Sequence, residues 1–171
     1  MTPKGGNDVI KRVISTTLAA VIIACVAVGF PRERAAATIG GTTVATAAGA
    51  GIFPAGASFN GIELAGGTFG VGTNSTSTGT ANGDLELQLN GNSIIGLSQW
   101  ITVSGWITQA TLNADGTITM NGTGTLDMGD GTAPTGGLAL VANLSVSGIQ
   151  VTIGGTALPV LPKSDGYISI E

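Results

Sequence analysis

The sequence predicts an all-β chain. The expected fold is an antiparallel β-sandwich, alternatively a small closed barrel, preceded by an N-terminal hydrophobic export or anchor helix. Three observations carry this expectation. Apolar residues alternate with polar ones over most of the chain beyond residue 38. Of the 29 glycines, 26 lie in that same part. Each glycine costs a helix interior about 1 kcal/mol relative to alanine, so such a density forbids long helices. The third observation is the placement of charge, which divides the chain in two.

Five of the six basic residues fall within the first 34 positions: Lys4, Lys11, Arg12, Arg32 and Arg34. Beyond them, Thr38 to Glu171 carries eight acidic residues against Lys163 alone. Val13 to Phe30 is an uncharged run of 18 residues, and Ala35-Ala36-Ala37 follows the charged Pro31–Arg34. A basic segment, an apolar run and small residues at the −3 and −1 positions are the parts of a secretory signal. Residues 1–37 are therefore read as a signal peptide cut after Ala37, or as an uncleaved N-terminal membrane anchor through residues 13–30. An 18-residue run sits at the short end of membrane-spanning lengths, about 17–25 residues. Ile22-Ile23-Ala24-Cys25 also has the outline of a lipidation box at Cys25, although the residues after it stay apolar. All three readings send residues 38–171 out of the cytoplasm, to a secreted or cell-surface location.

The 134 residues from 38 to 171 suit one domain. Strands are expected at 42–47, 57–65, 68–73, 76–81, 84–90, 99–112, 117–128, 138–147, a hairpin over 149–160, and 167–170. The clearest is Asp84-Leu85-Glu86-Leu87-Gln88-Leu89-Asn90, where three leucines share one face and polar groups the other. Thr117-Ile118-Thr119-Met120 and Ile149-Gln150-Val151-Thr152-Ile153 repeat the pattern. Turns are expected at Asn82-Gly83, where both residues tolerate positive φ, and at Asn113–Gly116 and Gly154-Gly155. Others are expected at Gly66-Gly67, Asn90-Gly91, from Gly129 to Gly137, and from Pro162 to Gly166. Successive hairpins of this kind build sandwiches and barrels. The scarcity of aromatic residues argues against an outer-membrane barrel, which needs two aromatic girdles.

Composition removes whole classes of function. The chain has no histidine, so it has no His-based catalyst or metal ligand. Its one cysteine lies in the export segment. A carboxylate pair remains the sole catalytic option. Glu86 alternates with leucines on a solvated face, and Asp115 and Asp130 precede glycine in turns. The expectation is no enzyme and no cofactor. One lysine and no arginine beyond residue 38 cannot neutralise phosphates, so nucleic acid is excluded as a partner.

Three sets of residues remain as candidates. Trp100 and Trp106 share strand parity, which places both on one face of an unbroken strand. They are either two core residues or a platform for sugar rings. Asp127 and Asp130 flank a glycine-rich loop that offers oxygen ligands to calcium, against the simpler reading of carboxylates capping a turn. Asn74, Asn121 and Asn143 each begin an Asn-X-Ser/Thr glycosylation sequon. The expected function is an exported structural protein of the cell exterior, a surface, matrix or filament subunit. The alternative is a recognition module for a carbohydrate or a small apolar ligand. Few charges defend the strands, so self-association is expected through sheet edges or the 38–53 segment.

Overall fold

The computed structural model describes residues 43–171. The signal or anchor reading of residues 1–37, Cys25 and the apolar run 13–30 all lie outside the described residues.

The described chain is all-β, a mostly antiparallel curled sheet in the form of a half-barrel. Its strands are β1 Thr43–Ile52, β2 Ser58–Phe59, β3 Ile62–Ser75, β4 Thr80–Asn92, β5 Ser98–Leu112 and β6 Ile118–Asp127. They continue as β7 Thr135–Ser145, β8 Gly148–Ile153, β9 Thr156–Ala157, β10 Leu161–Pro162 and β11 Asp165–Ile170. The pairing path runs β10-β8-β7-β6-β5-β4-β3-β1-β11, with β2 added to β3 and β9 to β8. From β3 to β8 each strand pairs with the next in sequence. This is the arrangement that short hairpin turns produce.

The alternation expected from the sequence sets the two faces. Leu85, Leu87 and Leu89 are buried, and Asp84, Glu86 and Gln88 between them are exposed. Ile101, Val103 and Ile107 of β5 join Ile118 and Met120 of β6, Leu140, Ala142 and Leu144 of β7, and Ile149, Val151 and Ile153 of β8 in one core. Apolar side chains thus fill the inside of the curl and polar ones cover the outside, the reverse of a membrane-spanning barrel.

Several turns fall elsewhere than expected. Asn82-Gly83 is not a turn but part of β4, where Asn82 pairs with Asn74 and Gly83 with Thr73. The chain reverses instead at Thr76–Gly79, with Gly79 at φ +84°. Gly83 meets a packing need: a Cβ there would lie 2.5 Å from the Cβ of Thr73. Asn90-Gly91 likewise lies within β4, paired with Trp100 and Gln99 of β5. Gly66-Gly67 follows a register shift between Leu64 and Gly66 inside β3, so the two short strands expected there are one bulged strand. The turns at Asn113–Gly116 and Gly154-Gly155 stand where the sequence put them.

The segment Leu161–Glu171 has two partners. Leu161 pairs with Ile149 and Pro162 with Gly148 of β8, and the Lys163 N–H donates to Ser147 O at 2.8 Å. One residue later the Ser164 N–H donates to Ala50 O at 2.9 Å, and β11 then runs antiparallel to β1 from Asp165 to Ile170. β1 is therefore bonded on both sides, to β3 and to β11.

Candidate functional site

The outward face of the sheet is built in rows, because cross-strand partners point the same way. One row runs Tyr167, Ala48, Gly70, Glu86, Ser104 and Thr125. The next runs Ser169, Thr46, Gly72, Asp84, Trp106 and Thr123. On the other side Thr68, Gln88, Thr102 and Asp127 form a row, followed by Ile52, Gly66, Asn90 and Trp100.

Trp100 and Trp106 stand on this face, 62% and 55% exposed. Their shared parity holds. The reading of them as core residues does not, because the inward positions of β5 belong to Ile101, Val103 and Ile107. Six residues of strand separate them by about 20 Å, so they are two contact points rather than a stacked pair.

Beside them, on the neighbouring strands β3 and β4, lies a shallow groove of about 260 Å³, lined by Thr68, Phe69, Gly70, Glu86 and Gln88. Its floor is Gly70, where a side chain would meet open space. Gln88 Nε2 donates to Glu86 Oε1 at 3.0 Å, fixing an amide and a carboxylate side by side. Across the β4–β5 ladder Glu86 is the diagonal neighbour of Trp106, and Gln88 that of Trp100. Such diagonal neighbours lie about 7–8 Å apart, within reach of aromatic side chains. Tyr167, 57% exposed, closes the row of Gly70 and Glu86 at its far end. Hydroxyl, amide and carboxylate groups in an open groove with exposed aromatic side chains nearby suit a ligand rich in hydroxyl groups. The groove is smaller than the roughly 300–1,000 Å³ of a pocket that engulfs a small molecule.

Sequence parity gave the aromatic pair but missed Tyr167, Gln88 and the glycine floor. The signal was present in Thr68-Phe69-Gly70-Val71-Gly72. Its inward positions are large and its outward ones small.

Asp127 and Asp130 sit apart from this groove and serve their own loop. Asp127 Oδ1 accepts the Gly129 N–H at 2.8 Å. Asp130 Oδ1 accepts the Thr132 hydroxyl at 2.6 Å and the Thr132 N–H at 2.9 Å. Those two bonds, the hydroxyl first, hold the Asp130 carboxyl below its ordinary range. Asp115 is lowered in the same way by the hydroxyl and N–H of Thr117. Among the described residues no three His, Cys, Asp or Glu gather as a metal site.

The three sequon asparagines lie in strands. Asn74 is exposed near the end of β3, and Asn121 is half-buried in β6. Asn143 on β7 accepts the Thr119 hydroxyl at 2.9 Å, and Asn113 Nδ2 donates to the same hydroxyl at 3.0 Å. Asn143 also lines a second surface hollow of about 200 Å³ with Thr117, Ser145 and Val160.

Compared with protein-family models, with curated proteins and with solved structures, the chain matches none.

Proposed function

We propose that this chain is an exported, non-enzymatic protein of the cell exterior whose β-domain recognises carbohydrate chains along its outward sheet face. The observation that supports this most is the pair of exposed tryptophans on β5, diagonal neighbours of Glu86 and Gln88 in the glycine-floored groove beside them. An extended glycan laid along β4 meets a ring at each end and polar groups between. Each tryptophan leaves more than half its surface in water, and aromatic side chains are among the commonest anchors of binding surfaces. The interior is filled by side chains, which turns the recognition reading outward and away from an apolar ligand inside.

The same reading takes the fold one step further, to a small closed barrel. Its support is the partner switch at Lys163–Ser164, where one segment leaves β8 and joins β1.

The test is a glycan panel against the full chain, read by tryptophan fluorescence. Saturable quenching is expected, with Trp106→Ala weakening it about tenfold or more, the effect of losing a well-placed aromatic anchor. Binding that ignores both Trp106→Ala and Glu86→Ala overturns the reading.

A structural-subunit role is the second reading, and one observation favours it. On β11 the backbone groups of Ile168 and Ile170 point away from β1 and have no partner among the described residues. An open edge of this kind accepts another strand. Light scattering that shows growing assemblies of the full chain, abolished by Ile168→Pro, selects this role over glycan recognition.

A further inference from the structure

Three hairpin turns of the sheet share one geometry. Thr76 N–H donates to Thr80 O at 2.8 Å, and Gly79 N–H returns to Thr76 O at 2.9 Å. Ser93 with Leu97 and Gly96 repeats this at 2.8 and 2.7 Å, and Asn113 with Thr117 and Gly116 at 2.8 and 3.0 Å. The three glycines have φ of +84°, +76° and +80°. The two middle positions are Ser77-Thr78, Ile94-Ile95 and Ala114-Asp115. Two of these turns form with polar or small residues there, so the backbone has no need of isoleucine.

Yet Ile94 is 95% exposed, Ile95 76% and Leu97 63%. Behind the tip, Trp100 and Ile52 stand in one outward row, also exposed. Exposed apolar side chains gathered at one end of a sheet mark a place of contact.

We propose that the Ser93–Leu97 tip is a membrane-contact element that enters the interface of a zwitterionic, uncharged lipid surface. Shape favours lipid over a protein partner. The apolar residues crown the convex apex of a tightly bonded turn, so a protein would need a matching pocket, whereas a bilayer yields to the tip. Depth agrees as well. Trp100 lies three residues behind Leu97, about 10 Å along the strand. A tip buried about 5–10 Å therefore brings Trp100 to the headgroup level where tryptophan concentrates. Charge sets the lipid class. The described residues carry eight carboxylates against Lys163, and Glu63 is in register with Asn92 beside the tip. Anionic headgroups are repelled by such a surface.

The test uses the full chain with Trp106→Phe, which leaves Trp100 as the only tryptophan. It is mixed with phosphatidylcholine vesicles brominated at shallow or deep acyl positions. Because the readout is Trp100 itself, attachment through residues 13–30 does not imitate tip contact. Shallow bromines are expected to quench Trp100 more than deep ones. Adding Ile94→Ser and Ile95→Thr should remove that quenching, and Ile95→Ser alone should reduce it. These residues copy the Ser77-Thr78 turn, and circular dichroism confirms the fold. Val146→Ser, at an exposed apolar residue elsewhere, should leave quenching intact. Phosphatidylglycerol in place of half the lipid should weaken it. Quenching that is absent, that survives the double substitution, or that grows with anionic lipid overturns the proposal. So does concentration-dependent self-association of the chain that the double substitution abolishes without any vesicle contact.

Discussion

Leu140 of β7 occupies the space that Gly105 of β5 leaves inside the curl: a Cβ on Gly105 would lie 2.8 Å from Leu140 Cδ2. A small residue facing a large one is a common way to fill the interior of a sheet bent on itself. Gly105→Ala should therefore destabilise the fold by about 1–3 kcal/mol through overpacking. Leu140→Ala should cost about 2–5 kcal/mol through the cavity it opens. The double variant should lose less than the sum, since the new methyl enters that cavity. Urea unfolding of the four proteins measures the coupling, and strict additivity refutes the contact.

Thr73 offers the opposite case. It is 2% exposed on the inner face of β3, and its hydroxyl has no hydrogen-bond partner. An unpaired buried hydroxyl costs about 1–3 kcal/mol, a penalty its isostere does not carry. Thr73→Val should raise stability by about 1 kcal/mol and shift the urea midpoint upward. A lowered midpoint would show that the hydroxyl is satisfied in solution.

Leu87 is 2% exposed between Phe69 and Val103 on neighbouring strands. Leu87→Asp places an unpaired carboxylate there and should cost several kcal/mol, enough to unfold a domain of ordinary stability. Gln88→Asp, one residue away on the outer face, should leave the unfolding midpoint nearly unchanged. Equal effects at the two positions would mean that the faces are assigned wrongly.

Asp115 and Asp130 make the fold sensitive to acid. Both carboxyls are held below their ordinary values by threonine hydroxyl and amide hydrogen bonds. The folded state thus binds protons less readily than the unfolded chain. The stabilisation is complete above the unfolded value of about 3.9 and is lost as pH falls through the lower folded values. Thr117→Val and Thr132→Val each remove the hydroxyl, the larger cause of the lowering. NMR titration should show each partner aspartate moving back up, toward its ordinary range. An unmoved titration would mean that the hydroxyl does not hold the carboxylate.

The inward face of β4 was legible because Leu85, Leu87 and Leu89 repeat with period two, which is the period of a strand and not of a helix. The turn before it was not. Asn82-Gly83 has ideal hairpin chemistry, yet the chain turns at Thr76–Gly79 and uses Gly83 to let β3 and β4 approach. A glycine needed for space and a glycine needed for φ look alike in sequence. The tryptophans teach a related lesson. Parity places Trp100 and Trp106 on one face, but only the partner strands reveal that it is the outer one. The groove was hidden for the same reason, since Thr68, Gly70, Glu86 and Gln88 meet only through the β3–β4 register.

The partner switch of the final segment also sets a clock on folding. Ser164 reaches Ala50 across 114 positions, and β11 bonds to the first described strand. Contacts so distant form late, because the intervening chain must be ordered first. During synthesis β1 keeps one flank bare until this segment has been made. A chain cut before Leu161 leaves the flanks of both β1 and β8 that this segment covers unsealed, so arrival of Leu161–Ile170 is the step that closes the curl.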